Sequence, residues 1–238
     1  MKTQFNKVMQ AAVAAAALTF ATASYASPDV YSSTKLLEEN IEVNAAGSKY
    51  FKDVEFAGSL YIGVQVYEMF NANNATQRYV AYCIQPDVDV QPGATYTASY
   101  NFTPSADVRK LYESSFASTV GNAEKQKAFQ LALWELQNDD NNLSYVDANS
   151  KQYFAAGQSP TVDMAAAMLV SASNYTLGVN HYSYVTFEGN ANGVESQQLL
   201  GVREVTAVPE ADTWAMMAVG LGLVGLVGRR KQKNEKFA

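Results

Sequence analysis

Cysteine and histidine are almost absent from this 238-residue chain: Cys83 and His181 are the only examples of each. One cysteine excludes a disulfide within the chain, and one histidine excludes a metal site built from several imidazoles. No serine stands in a G-x-S-x-G setting, so a hydrolase triad has no support. Proline is scarce at six residues, with no proline-rich linker and no internal repeat, which leaves one compact unit as the economical organisation.

The apolar runs at the two ends read as addresses. Met1 to Ala26 has Lys2 and Lys7, then AAVAAAALTF, then Ser24-Tyr25-Ala26, the order of a secretory signal peptide, so the mature chain is expected to begin near Ser27. At the other end, residues 213–228 are uncharged and mostly apolar. As a helix they would span about 24 Å of a hydrocarbon core roughly 30 Å thick. Arg229, Arg230, Lys231, Lys233 and Lys236 would hold the far end of this transmembrane helix in the cytoplasm. Gly220, Gly222 and Gly225 spell G-x-G-x-x-G, but no strand-turn-helix unit surrounds them and no acidic residue follows at ribose distance. They read as helix-packing positions.

Pro209-Glu210, the apolar run with its GLGLVGLVG stretch, and Arg229-Arg230-Lys231 together resemble the PEP-CTERM sorting tail, with Ala211 in place of the second proline. The resemblance implies a temporary inner-membrane anchor, recognised and removed by an exosortase in a Gram-negative envelope. It assigns Pro209, Glu210, Arg229 and Arg230 to the sorting signal and residues 207–238 to the tail.

Between the ends, residues 27–210 carry 10 basic and 21 acidic residues, a net charge of −11. That balance excludes nucleic acid and anionic membrane surfaces as partners. Alternating runs at 54–70, 76–84 and 95–102 predict strands, with Gly58, Gly63, Pro92 and Gly93 as breaks. SADVRKLYESSF from Ser105 and AEKQKAFQLALWELQN after Gly121-Asn122 predict helices, followed by further helices over 147–156 and 161–175. Strand character returns at 181–189 and 196–205. The order predicts an α+β domain over 27–206: a β-rich scaffold, sandwich or barrel-like, with an inserted helical lobe.

Cys83 sits on the third predicted strand. It reads either as a small buried hydrophobe or as half of a reactive pair with Gln130, an amide inside the apolar helix KAFQLALWEL. Attack of the sulfur on the carboxamide carbon, with loss of ammonia, would make an internal thioester and remove both the oxidisable thiol and the polar amide. Such an acyl group must be kept from water by aromatic neighbours; Trp134, one turn beyond Gln130, and Tyr82 are placed to shield it.

Tyr82-Cys83-Ile84-Gln85 and Phe129-Gln130-Leu131-Ala132-Leu133-Trp134 resemble the two motifs of bacterial thioester domains of surface adhesins, over roughly residues 50–188. Gln85 stands where that family has an acid and Phe129 where it has threonine. The resemblance implies a Cys83–Gln130 thioester shielded by Tyr82, Phe129 and Trp134, and a covalent link to a polysaccharide or surface protein through an amine or hydroxyl.

Other groups read more plainly. His181 is expected to be a packing or edge residue; Asp87, Asp89 and the NDDNN run at 138–142 lack calcium-loop spacing and read as turns. Tyr61, Tyr67, Tyr79, Tyr82, Tyr96 and Tyr100 are expected mainly to pack across strands. The expected protein is exported, needs no metal or cofactor, and reacts once rather than catalysing. The alternatives are a non-covalent structural or polysaccharide-binding matrix protein with an unmodified Cys83 and, last, an extracellular hydrolase.

Overall fold

The computed structural model describes residues 29–51, 55–56, 58–144, 149–155, 157 and 159–205. The expected signal peptide and the expected membrane helix at 213–228 lie outside these residues. No helix among the described residues is long and apolar enough to cross a membrane.

The elements are β1 (Val30–Asn44), β2 (Glu55–Phe56), β3 (Ser59–Asn71), β4 (Asn74–Cys83) and β5 (Thr95–Ser99). Then come α1 (Ala106–Ser115) with a 3-10 turn (Phe116–Thr119), α2 (Ala123–Asn138), α3 (Pro160–Asn174), β6 (Tyr182–Ala191) and β7 (Val194–Glu204). All pairings are antiparallel in the order β1-β5-β6-β7-β4-β3, and β3 pairs back onto β1. The sheet therefore closes into a six-stranded ring, with the short β2 added beside β3. This is the predicted α+β order, barrel-like rather than a sandwich, with the helices inserted between β5 and β6.

The ring buries its interior, and the helical lobe covers only part of its outer face, leaving Leu36 and Tyr61 exposed. Strand alternation turns Tyr31, Tyr79 and Phe187 inward, where their rings meet edge to face with centroids 4.9 to 6.0 Å apart. Gly201 is part of that fit: a Cβ there would lie 2.3 Å from Phe187 Cε2. Tyr82 and Tyr184 point the other way, onto Phe116, Phe129 and Tyr112 of the helical lobe. Asn192-Gly193, both at positive φ, make the two-residue turn that sets the β6–β7 register.

Each helix begins at a side-chain cap. Ser105 Oγ accepts from Val108 N, Asn122 Oδ1 from Lys125 N, and Ser159 Oγ from Thr161 N. The caps start α1 and α2 where the sequence predicts, and α3 one residue earlier, at Pro160. In α2 every residue from Gln126 to Glu135 is buried, because the helix lies between the sheet and the other two helices.

Three local expectations fail. Gly63 does not break β3; its exposed position costs the strand little, and the ladder with β1 runs through it at Asn40. Residues 149–155 of the helix predicted over 147–156 are not helical; Tyr153 instead bridges Lys49. The fifteen-residue β1 was not anticipated, because the alternate row that carries its buried Tyr31, Leu37, Ile41 and Val43 also holds Ser33, Lys35 and Glu39, which interrupt the apolar period.

Candidate functional site

Cys83 is the last residue of β4, and its position at a strand end decides its surroundings. On one side β7 continues, pairing Leu199 with Cys83, and Ile84 N donates to Gln198 O at 3.0 Å. On the other side the ladder with β3 stops at Val66–Tyr82. The N–H and C=O of Cys83 face that opening, where a buried backbone would be left without partners.

Gln130 closes the opening from α2. Its Nε2 donates to Cys83 O at 2.8 Å, and Cys83 N donates to its Oε1 at 2.9 Å. Because one partner is a donor and the other an acceptor, the orientation of the amide is set. The carboxamide takes the place of a strand peptide, and its own burial at 0% exposure is compensated. Cys83 is 2% exposed.

The Cys83 side chain borders a cavity of about 410 Å³, with Tyr50, Trp134, Tyr61, Gln65, Asp89 and Gln197 also in its walls. The Tyr50 and Trp134 rings lie 5.6 Å apart. Burial pushes the Tyr50 hydroxyl far above the usual phenol range, and negative charge at Cys83 or Asp87 adds to the shift, so it stays a neutral donor. Trp134 is 2% exposed, and its Nε1–H has no acceptor among the described residues.

Of the aromatic residues expected to shield the sulfur, Trp134 lines this cavity. Tyr82 and Phe129 pack on each other at 4.9 Å in the helical lobe, on the opposite face of β4, and Tyr82 OH lies 3.2 Å from Thr119 Oγ1. Tyr50 takes a place beside the sulfur that the sequence did not suggest, since it comes from the segment after β1. Gln85 turns away as well: its Oε1 accepts from Gln198 N at 2.8 Å, bracing the β4–β7 end. Asp89, read from sequence as a turn residue, also lines the cavity, and its backbone carbonyl accepts from Gln197 N.

Below this site α2 carries a second buried polar group. Glu135, 0% exposed, accepts from Asn142 N at 2.8 Å and from Gln152 Nε2 at 3.0 Å. Burial pushes its carboxyl up to about 8 against those two hydrogen bonds, with Asp139 adding to the rise. The 139–142 segment is a turn, with Asn141 at positive φ and Asn142 N held by Asp140 Oδ1. His181 is exposed, its Nδ1 2.7 Å from Glu113 Oε2.

The C-terminal segment supplies an independent finding. Residues 207–231 match the PEP-CTERM protein-sorting motif. Pro209, Glu210, Arg229 and Arg230 fall within the match and outside the described residues. No curated protein matches the chain. Among solved structures, an N-terminal thioester domain of a Clostridium perfringens surface protein is similar at 15% identity, covering 74% of this chain and 99% of that one, with a TM-score of 0.39. The N-terminal domain of the Streptococcus pyogenes pilus tip adhesin Cpa gives 13% identity, 77% and 97% coverage and 0.40. A thioester domain of a protein F2-like fibronectin-binding protein from Streptococcus pneumoniae gives 13%, 74% and 94%, and 0.41.

Proposed function

We propose that this chain is an exported surface protein that attaches once, covalently, to a target through an internal thioester between Cys83 and Gln130. One observation carries the reading: the Gln130 carboxamide is held by both backbone groups of the residue whose sulfur would attack it. Holding the reacting groups together in this way removes much of the entropic barrier to the reaction.

The sulfur adds to Gln130 Cδ, and the charge that develops on Oε1 is met by the Cys83 N–H already donating to it. The carbon–nitrogen bond then breaks, and Nε2 leaves as ammonia with the proton of the thiol. An amine or hydroxyl of the target opens the thioester, leaving an amide or ester on the Gln130 acyl carbon and returning the thiol. Trp134 and Tyr50 limit the access of water in the interval. Nothing is regenerated for a second round, so the chain is a single-use linker rather than an enzyme.

The sorting motif at 207–231 supports export and cell-surface placement. In this reading residues 1–26 are removed on export, 27–206 form the functional domain, and the tail is a transient inner-membrane anchor removed by an exosortase of a Gram-negative envelope. A second reading has one observation in its favour: the Gln130–Cys83 pair satisfies its hydrogen bonds without any new bond. The chain would then be a non-covalent matrix protein.

Intact mass of the purified chain lacking its signal peptide separates the two. A mass one ammonia light, converted by methylamine to an adduct at Gln130 and restored to full mass by Cys83→Ala or Gln130→Ala, is the expected result. A full mass with an alkylatable Cys83 thiol after unfolding overturns it.

A further inference from the structure

We propose that an extended segment of the target polypeptide docks as an added strand on the open edge of β1, in a groove that leads to the Cys83 cavity. The inference rests on the thioester reading above and adds the kind of partner and the surface that receives it.

The ring is thinnest where it closes. β1 and β5 pair only at Val30–Thr97 and Tyr31–Tyr96, whereas β1 keeps its ladder with β3 from Tyr31 to Asn44. Across the short contact Ala98 N donates to Asp29 O, so antiparallel alternation turns the N–H and C=O of Tyr31, Ser33 and Lys35 toward the β5 side. Tyr31 meets Tyr96 there. The half-buried Ser33 and the exposed Lys35 have no backbone partner on that side among the described residues. Such an edge is a template for one more strand, recognised through its main chain.

The space beside the edge is bounded. Past Tyr31, β1 and the chain leading into β5 diverge around a cavity of about 670 Å³, with Ser33 and Lys35 in one wall and residues 91–95 in the other. The second wall is a turn, with Gly93 at positive φ and Ala94 N bonded to Gln91 O, so it does not pair with β1 itself. A groove with two walls admits a single extended chain and keeps out the sheet edge of a second folded copy. Gln65 and Val90 line both this groove and the Cys83 cavity, so a chain laid along β1 carries a side chain near its end into the space bordered by Cys83. Lys35 and Glu38 pair with each other and leave the groove without a net charge of its own. The net charge of −11 on residues 27–210 then favours a segment that carries lysine.

The test takes the strand-forming peptide acetyl-Lys-Thr-Val-Thr-Val-Lys-amide, whose amine at either end serves both strand directions, and the same peptide N-methylated at every residue. Amide exchange is followed in the exported chain carrying Cys83→Ala, which cannot form the thioester. Exchange at Ser33 and Lys35 is expected to slow at least tenfold with excess peptide and to stay unchanged with its N-methylated form. In the wild type at equal concentrations of peptide and methylamine, intact mass is expected to show the peptide adduct at least tenfold in excess. That ratio should fall at least tenfold in Ser33→Pro, which removes an N–H from the open edge and none from the ladder with β3. The ammonia-deficient mass of Ser33→Pro before reaction reports that its thioester has formed. No slowing at Ser33 and Lys35, equal slowing by both peptides, slowing by maltotriose but not by peptide, or an adduct ratio that Ser33→Pro leaves unchanged overturns the docking, and an ammonia deficit in the wild type then leaves the thioester standing. A wild type without that deficit overturns the thioester reading, and exchange in Cys83→Ala still decides the docking.

Discussion

The Gln130 side chain completes the β-ladder at Cys83, bonding its O at 2.8 Å and its N–H at 2.9 Å where β3 has already turned away. A side chain from a helix thus does the work of a neighbouring strand, and the same contact sets the carboxamide beside the sulfur. Structure and proposed chemistry share these two hydrogen bonds, so they can be separated by mutation.

Gln130→Ala is expected to destabilise the chain more than Cys83→Ala, by about 3 kcal/mol, because it strands a buried donor and a buried acceptor. Either change abolishes any cross-link, so the difference between them reads the lost hydrogen bonds together with the larger packing loss at Gln130. Denaturant midpoints of the two variants check it; equal midpoints would mean that the strand end opens and rehydrates without cost.

Glu135 should make the folded state sensitive to alkali. Its carboxyl is raised to about 8 from an ordinary 4.5. The stability it contributes is therefore fully present below pH 4.5 and is lost as pH rises through 8. At about 1.4 kcal/mol per pKa unit the loss is on the order of a few kcal/mol. Melts from pH 5 to 9 should show wild type falling relative to Glu135→Gln, which cannot ionise; parallel curves would show that Glu135 is ionised in the folded state at no cost.

Gly201→Ala is expected to cost about 3 kcal/mol, since the new Cβ would meet Phe187 Cε2 at 2.3 Å and Tyr79 Cβ at 3.2 Å inside the ring. Phe187→Leu in the same chain should recover part of the loss by withdrawing the ring edge. A double variant no more stable than Gly201→Ala would place the strain in the backbone instead.

Much of the fold could be read locally. Ser105, Asn122 and Ser159 start helices because a cap needs only its own next three residues, and β6 and β7 meet through an Asn-Gly turn that names its own geometry. β1 escaped because Ser33, Lys35 and Glu39 share the alternate row of its buried Tyr31, Leu37, Ile41 and Val43 and interrupt the apolar period. The 149–155 segment escaped because its backbone bonds go to Lys49, Leu143 and Asp139 rather than to itself.

The sequence by itself determined the sorting motif at 207–231, the acidic balance, and the two short segments that carry Cys83 and Gln130, because charge and motif are properties of neighbours in the chain. Only the tertiary structure decided the surroundings of the sulfur. It brought Tyr50, Asp89 and Gln197 to one cavity and turned Tyr82 and Phe129 away from it, because strand alternation and the end of β3 set which side chains share a face. Those partners lie tens of residues apart, and no local pattern records which of them closure of the ring will bring together.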